Sequence, residues 1–222
     1  MTTIGQVADY YDSRLEKMKE VNNRHSSVFF AFKKLPYENC NVLDVGCGTG
    51  ITSKYLAERA KSVTAIDVSP RLIQYAREFN SRPNLQYMVE DIAAYDWREW
   101  QGDKFDFIFM VDVLEHILPV KLMDAIDNIK RLSHETTTIY LNIPNAELLK
   151  YMRLNCPERL QIVDEPYTIF EILNLFRHIN FVPSYLSSYS TEYTEYLFCT
   201  KETQERNFAK LFEPSTRSMS NG

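Results

Sequence analysis

The sequence predicts an α/β fold, a doubly wound and mostly parallel sheet, and three observations carry that prediction. Apolar segments of strand length alternate with helix-length amphipathic segments through most of the chain. The segment Val42-Leu43-Asp44-Val45-Gly46-Cys47-Gly48-Thr49-Gly50 runs from an apolar strand into an acidic residue and three glycines at alternate positions. Two final apolar runs, 181–188 and 195–200, read as a closing antiparallel hairpin.

The elements follow in order. Residues 2–35 are helical in pattern: Tyr10, Tyr11, Leu15 and Met18 recur at helical spacing, then Val28, Phe29, Phe30 and Phe32 form a denser apolar stretch that Pro36 ends. Strand 1 covers 41–45, and a helix runs from about Thr49 to about Ala60. Strand 2 covers 62–66. The next helix opens at Ser69-Pro70, with serine as N-cap and proline at N1. Strand 3 covers 85–89. Strand 4, 105–110, reads Phe-Asp-Phe-Ile-Phe-Met, as expected of a strand buried on both faces. A helix covers 119–132, strand 5 covers 137–142, and a further helix covers 169–178. Residues 1–35 form an N-terminal helical lid, 36–200 a ligand-binding domain and 201–222 a polar tail. Within the domain, 144–167 is long for a loop, contains a short helix at 146–153, and follows a strand's carboxyl end, where ligands bind in open α/β sheets. Its 146–167 portion is read as a substrate cap.

Composition narrows the function. At 222 residues with 45% hydrophobic content, the chain has enough apolar sequence for one full core. No apolar run approaches the roughly 18 residues of a membrane span, and the first ten residues lack a signal peptide's apolar stretch. Cys40, Cys47, Cys156 and Cys199 form no C-x-x-C pair and no zinc spacing, so free thiols in a reducing cytoplasm are expected. A net charge of −5 with no basic run longer than two residues argues against DNA or RNA as substrate. A monomer or homodimer is expected.

Glycines at 46, 48 and 50 let the backbone turn sharply and let a ligand approach, while the following helix aims free N–H groups at the same spot. A dinucleotide fingerprint, G-x-G-x-x-G, would need its third glycine where Ile51 stands. Asp67 ends strand 2, where a carboxylate can accept from both hydroxyls of a ribose; the competing reading is a cap on the next helix. After strand 3, the carboxylate of Glu90 or Asp91 can accept from an adenine amino group, and the Ile92 N–H can reach a ring nitrogen. After strand 4 comes Val111-Asp112-Val113-Leu114-Glu115-His116-Ile117. His116 could take the proton from a reacting hydroxyl or amine, or it could orient a loop or pack beneath the ligand. Asp112, Glu115 and His116 could also offer ligands to Mg²⁺, but the further ligands such a site needs are not evident, so no metal is expected. Tyr10 and Tyr11 could form an aromatic lid. Asn142, at the end of strand 5, could face the substrate. His25 and His134 have no nameable partner and read as structural or surface residues.

Together these residues resemble class I S-adenosylmethionine (SAM) dependent methyltransferases over about residues 9–200. Asp44, Gly46, Gly48 and Gly50 resemble motif I, Asp67 the acidic ribose position, Asp91 the adenine position, and 112–117 the stretch after strand 4. The resemblance implies a seven-stranded sheet in the order 3-2-1-4-5-7-6 with strand 7 antiparallel. It implies SAM as cofactor, bordered also by Cys47, Val68, Ile92 and Val111. Val113 to Ile117 and the Asn-Ile-Pro-Asn turn look most like small-molecule O- and N-methyltransferases of the ubiquinone-biosynthesis type. The Asp/Asn-Pro-Pro-Tyr motif of nucleic-acid amino-methyltransferases and the Pro-Cys nucleophile of cytosine-C5 enzymes are absent. Phe29, Phe30, Tyr151 and Tyr167 suggest an apolar or aromatic acceptor. A non-catalytic SAM-binding module and an NAD(P)-dependent oxidoreductase are the alternatives.

Overall fold

Strands β1 (Asn41–Val45), β2 (Ser62–Asp67), β3 (Leu85–Val89), β4 (Phe105–Val111), β5 (Ser133–Pro144), β6 (Phe181–Tyr189) and β7 (Tyr193–Thr200) form one sheet. Its order is β3-β2-β1-β4-β5-β7-β6. They belong to a computed structural model that describes residues 2–94, 97–189 and 192–212. The first five strands are mutually parallel, and β7 runs antiparallel to both β5 and β6. The expected fold class, strand order and orientation are all present.

The helices are α1 (Ile4–Ser13), α2 (Leu15–Met18), α3 (Asn23–Phe32), α4 (Ile51–Leu56), α5 (Pro70–Phe79), α6 (Leu122–Leu132), α7 (Ala146–Asn155), α8 (Ile169–His178) and α9 (Lys201–Phe212). Sequence signals explain several ends. Ser69 caps α5 by accepting from Leu72 N–H, with Pro70 at the first helical position. Thr168 and Glu171 close a capping box on α8.

Three expectations need correction. The helix after the glycine loop starts at Ile51 rather than Thr49, because Gly50 is left-handed (φ +80°) and cannot be its first turn. Strand β5 spans twelve residues, because its ends find partners at Phe105 on β4 and Tyr193 on β7. The stretch expected as a polar tail opens as α9, since Thr200 Oγ1 accepts from Thr203 N–H at 3.2 Å and Arg206 pairs with Glu135 at 3.0 Å. Residues 213–222 of that expected tail lie outside the described residues.

Strand β4 is buried on both faces, as its apolar run requires. Its alternate residues divide the core. Ile108 and Met110 pack with Leu43, Ile126 and Phe176 on one side. Phe107 and Phe109 pack with Tyr37, Leu56 and Tyr140 on the other. Val28 and Phe32 of α3 belong to this second layer, so α3 is part of the core as well as a cover. Fully burying a side chain such as Phe32 contributes about 1.5–3 kcal/mol, which anchors the N-terminal segment to the sheet.

The register aligns the strands' carboxyl ends. Val45 lies beside Ile66 and Met110, Asp67 beside Val89, and Val111 beside Asn142. The strand order reverses between β1 and β4, and open α/β sheets bind ligands at such a switch point.

Candidate active site

The carboxyl ends of β1 to β4 open into a cavity of about 390 Å³, within the range of small-molecule sites. The loop after β1 forms its floor. Gly46 has φ +70°, and a Cβ there would lie 2.5 Å from Val113 Cγ2. A Cβ on Gly50 would lie 2.2 Å from Tyr87 Oη, which donates to the Gly50 carbonyl at 3.2 Å. Glycine is thus required at both positions by backbone conformation and by neighbours. Gly46, Cys47 and Gly48 line the cavity; Gly50 shapes the loop from behind.

Three strand-end carboxylates face this floor. Asp44 Oδ2 accepts from Thr52 Oγ1 at 3.0 Å and Ser53 Oγ at 2.6 Å, bracing α4 against β1. Burial pushes its pKa up to about 6, against the pull of those two hydroxyls. Asp67 Oδ2 accepts from Gly48 N–H and Oδ1 from Ser69 N–H, both at 2.9 Å. Burial raises its pKa, and the same two amides oppose the rise. The side chain thus fixes the turn before α5 and also lines the cavity. Asp91 Oδ1 accepts from Ala93 N–H at 2.8 Å. Asp91, Val68, Ile92 and Val111 all line the cavity, as does Glu90.

The N-terminal segment covers these groups through three ties. Asp12 accepts from the Ser69 hydroxyl and, at 3.1 Å, from Arg71 N–H. Thr49 Oγ1 donates to Met18 O at 2.8 Å. Arg24 donates in bidentate fashion to Asp112 at 2.8 and 2.6 Å, donates also to Asn142 Oδ1, and lies 3.7 Å over the Tyr193 ring. Such planar forks are strong and directional. Tyr11 lines the cavity with its ring edge-on to His116, centroids 5.9 Å apart. Its buried hydroxyl has no partner among the described residues. Burial and the Glu115, Asp164 and Asp67 carboxylates raise its pKa, so it stays a neutral phenol.

Other expected site residues lie elsewhere. Tyr10 packs against Tyr11 but outside the cavity, where its hydroxyl accepts from Arg14 Nη1 at 2.8 Å. Tyr151 is 61% exposed and does not reach the cavity. Asn142 is fully buried, and its Oδ1 accepts from Arg24. Conversely, Arg24, His25, Asn22 and Met18 line the cavity without having been singled out as site residues. The N-cap signal at Asn22, with His25 three residues later, was the available clue to the last helix of this cover.

His116 lines the cavity but is clasped from behind. Its Nδ1 lies 2.6 Å from the Val163 carbonyl and 3.2 Å from Asp164 Oδ1, and its Nε2 lies 3.1 Å from the Gln161 amide. Burial pulls its pKa down, but Glu115, Asp164 and the Val163 carbonyl outweigh that and raise it to about 9. Glu115 sits beneath, 1% exposed, with neither carboxylate oxygen hydrogen-bonded among the described residues. Burial raises its pKa, while His116 opposes the rise. The Glu165 N–H donates to the Glu115 carbonyl at 2.9 Å, so the cap after α7 is stitched to this pair. The arrangement makes His116 a charged clamp on the cap, which fits the loop-orienting reading better than that of a base. Among the described residues, no group of three or more His, Cys, Asp or Glu side chains is placed to hold a metal.

Comparisons with known proteins bear on this geometry. Residues 42–135 match the family model for a methyltransferase domain. Over that segment the chain is similar to methyltransferase domains. The ubiquinone biosynthesis O-methyltransferase of Xylella fastidiosa is 38% identical over 94 residues, 42% of this chain and 38% of that protein. The match therefore spans less than two-fifths of that relative's length. The N-methyltransferase NodS of Bradyrhizobium japonicum, solved with S-adenosyl-L-homocysteine, superposes with TM-score 0.68 at 17% identity, covering 87% of this chain and all of that one. A SAM-dependent methyltransferase of Anabaena variabilis superposes with TM-score 0.72 at 17% identity, covering 90% and 96%. At these identities the superpositions establish the fold. The matched segment begins at β1 and ends within β5, so the N-terminal cover and the cap lie outside it.

Proposed function

We propose that this chain binds SAM in the 390 Å³ cavity and transfers its methyl group to an oxygen or nitrogen of a small metabolite. The observation that carries the reading is the convergence of Gly46, Gly48, Asp67 and Asp91 on one cavity at the switch point of the sheet. The residues suit the donor. Gly46 and Gly48 offer a side-chain-free surface, Asp67 has carboxylate lone pairs for a ribose diol, and Asp91 with Ile92 N–H matches an adenine edge. SAM supplies an activated methyl on a sulfonium, so the protein's task is to align the acceptor and exclude water. Tyr11, Met18 and Arg24 close the cavity over that region.

The dinucleotide alternative is disfavoured by Ile51, which stands where a third glycine would be needed and begins α4. A small acceptor in a cytoplasmic setting belongs to the same proposal. Among the described residues, no helix is long and apolar enough to cross a membrane. Incubating the protein with methyl-labelled SAM and a small-metabolite extract tests the reading. Label appearing in a low-molecular-weight product supports it. SAM binding without any transfer would favour a non-catalytic SAM-binding module instead.

A further inference from the structure

The N-terminal cover sorts its charges. Residues 4–28 hold the carboxylates Asp9, Asp12, Glu16 and Glu20 and an equal number of cations, Arg14, Lys17, Lys19 and Arg24. From this segment the cavity wall takes Arg14, Lys17 and Arg24 and none of the carboxylates. Arg24 is engaged by Asp112. Arg14 donates to the Tyr10 hydroxyl at 2.8 Å, and neither Arg14 nor Lys17 meets a carboxylate among the described residues. Tyr10 has its pKa raised by burial and, against the pull of Arg14, by the Asp164 carboxylate, which places Arg14 between the cover and the cap.

The start of α3 adds neutral donors to the same wall. Asn22 Oδ1 accepts from the Arg24 and His25 N–H groups at 3.0 and 3.2 Å, and the Asn22 N–H donates to His25 Nδ1 at 3.2 Å. This capping box uses the acceptors of both side chains. It leaves the Asn22 amide N–H groups and the His25 Nε2–H without partners among the described residues, and both residues line the cavity. The sheet side is the reverse, carrying Asp67, Glu90 and Asp91, which suits a cofactor whose sulfonium and ammonium outweigh its carboxylate.

We propose that the methyl acceptor is an anionic metabolite, bearing a carboxylate or phosphate group that Arg14 and Lys17 hold on the cover side of the cavity. The proposal rests on the methyl-transfer reading and deepens it by naming the substrate class. A guanidinium fork matches either anion, and a neighbouring ammonium adds charge without demanding one geometry. A wall of donors without a free carboxylate also disfavours a cationic amine, which would find no counter-charge there. Both cations lie outside the segment shared with methyltransferase domains, as expected of groups that select the acceptor rather than the donor.

The test divides a small-metabolite extract on an anion-exchange resin at neutral pH before the reaction, because methylation of a carboxylate would itself remove the charge. The intact protein is incubated with methyl-labelled SAM and each fraction in turn. Label should enter a product of the retained, anionic fraction. Label from the unretained fraction alone would overturn the proposal and leave the methyl-transfer reading standing; no label from either would end both. In the double variant Arg14→Gln with Lys17→Gln, transfer at dilute retained fraction should fall about tenfold or more and recover as that fraction is concentrated. The SAM dissociation constant, read by calorimetry, should not change. Arg14→Lys, which keeps the charge, should transfer faster than Arg14→Gln, and equal rates would show that the acceptor does not read this charge. SAM carries a carboxylate of its own, so a SAM affinity weakened about tenfold in the double variant would assign the two cations to the cofactor and overturn the proposal.

Discussion

Replacing Gly46 with alanine should damage the cavity floor by two separable effects. The first is conformational: φ is +70°, and a left-handed alanine costs about 1–2 kcal/mol. The second is steric: the new Cβ would lie 2.5 Å from Val113 Cγ2 and 2.8 Å from Val113 Cβ, an overpacking that costs about 1–3 kcal/mol. Together they predict a loss of about 2–5 kcal/mol in unfolding free energy. Urea denaturation followed by circular dichroism reads this directly. The double variant Gly46→Ala with Val113→Gly divides the effect, because removing the whole valine side chain, Cβ included, relieves the clash and leaves the backbone cost. It should recover the steric share, apart from the cost of truncating Val113. Gly5→Ala is the control: its added Cβ would meet only Thr3 Oγ1, at 3.9 Å, and alanine in a helix is favoured over glycine by about 0.5–1 kcal/mol. If Gly46→Ala unfolds at the parent's midpoint and binds SAM equally well, the account of this loop is wrong.

Other substitutions probe the walls and the cover. Asp67→Ala removes the acceptor for the buried Gly48 N–H, which should cost about 1–3 kcal/mol of stability and weaken SAM binding at least tenfold by calorimetry; an unchanged affinity would remove Asp67 from the donor site. Arg24→Ala leaves Asp112 and Asn142 without their shared donor. Hydrogen exchange should then accelerate along α3 well before the sheet, and uniform protection would show that the fork does not hold the cover. His116 is expected to titrate near 9 by NMR, and in Glu115→Gln its midpoint should fall toward the ordinary 6.5. Because its folded pKa is raised, its contribution to holding the cap is complete below about 6.5 and is lost as pH rises through about 9. Proteolytic nicking confined to residues 157–167 on crossing that range would report the loss, and a cap indifferent to pH would contradict the clamp.

The parts of the fold readable from sequence were those with a local cause. Strands β1 and β3 and helix α8 lie where apolar runs and caps predict them, because period and capping act over a few residues. Asp67 and Asp91 were legible for the same reason, each ending a recognisable strand. The N-terminal cover was not. Its ties join Arg24 to Asp112, 88 residues away, and Asp12 to Ser69, 57 residues away, and no local pattern encodes such pairings. For His116 the sequence left the base and loop-orienting roles open, since Val163 and Asp164, which hold it, approach from a segment without a motif. His25 read as structural or surface because the cavity wall it joins exists only once α3 docks.

Calorimetric titration of the intact chain with SAM, with NAD(H) run in parallel, tests the central claim most directly. One equivalent of SAM should bind with a sub-millimolar dissociation constant that weakens markedly in Asp67→Ala, and NAD(H) should give no heat of binding. Saturable NAD(H) binding with none for SAM would contradict the assignment of this cavity to a methyl donor.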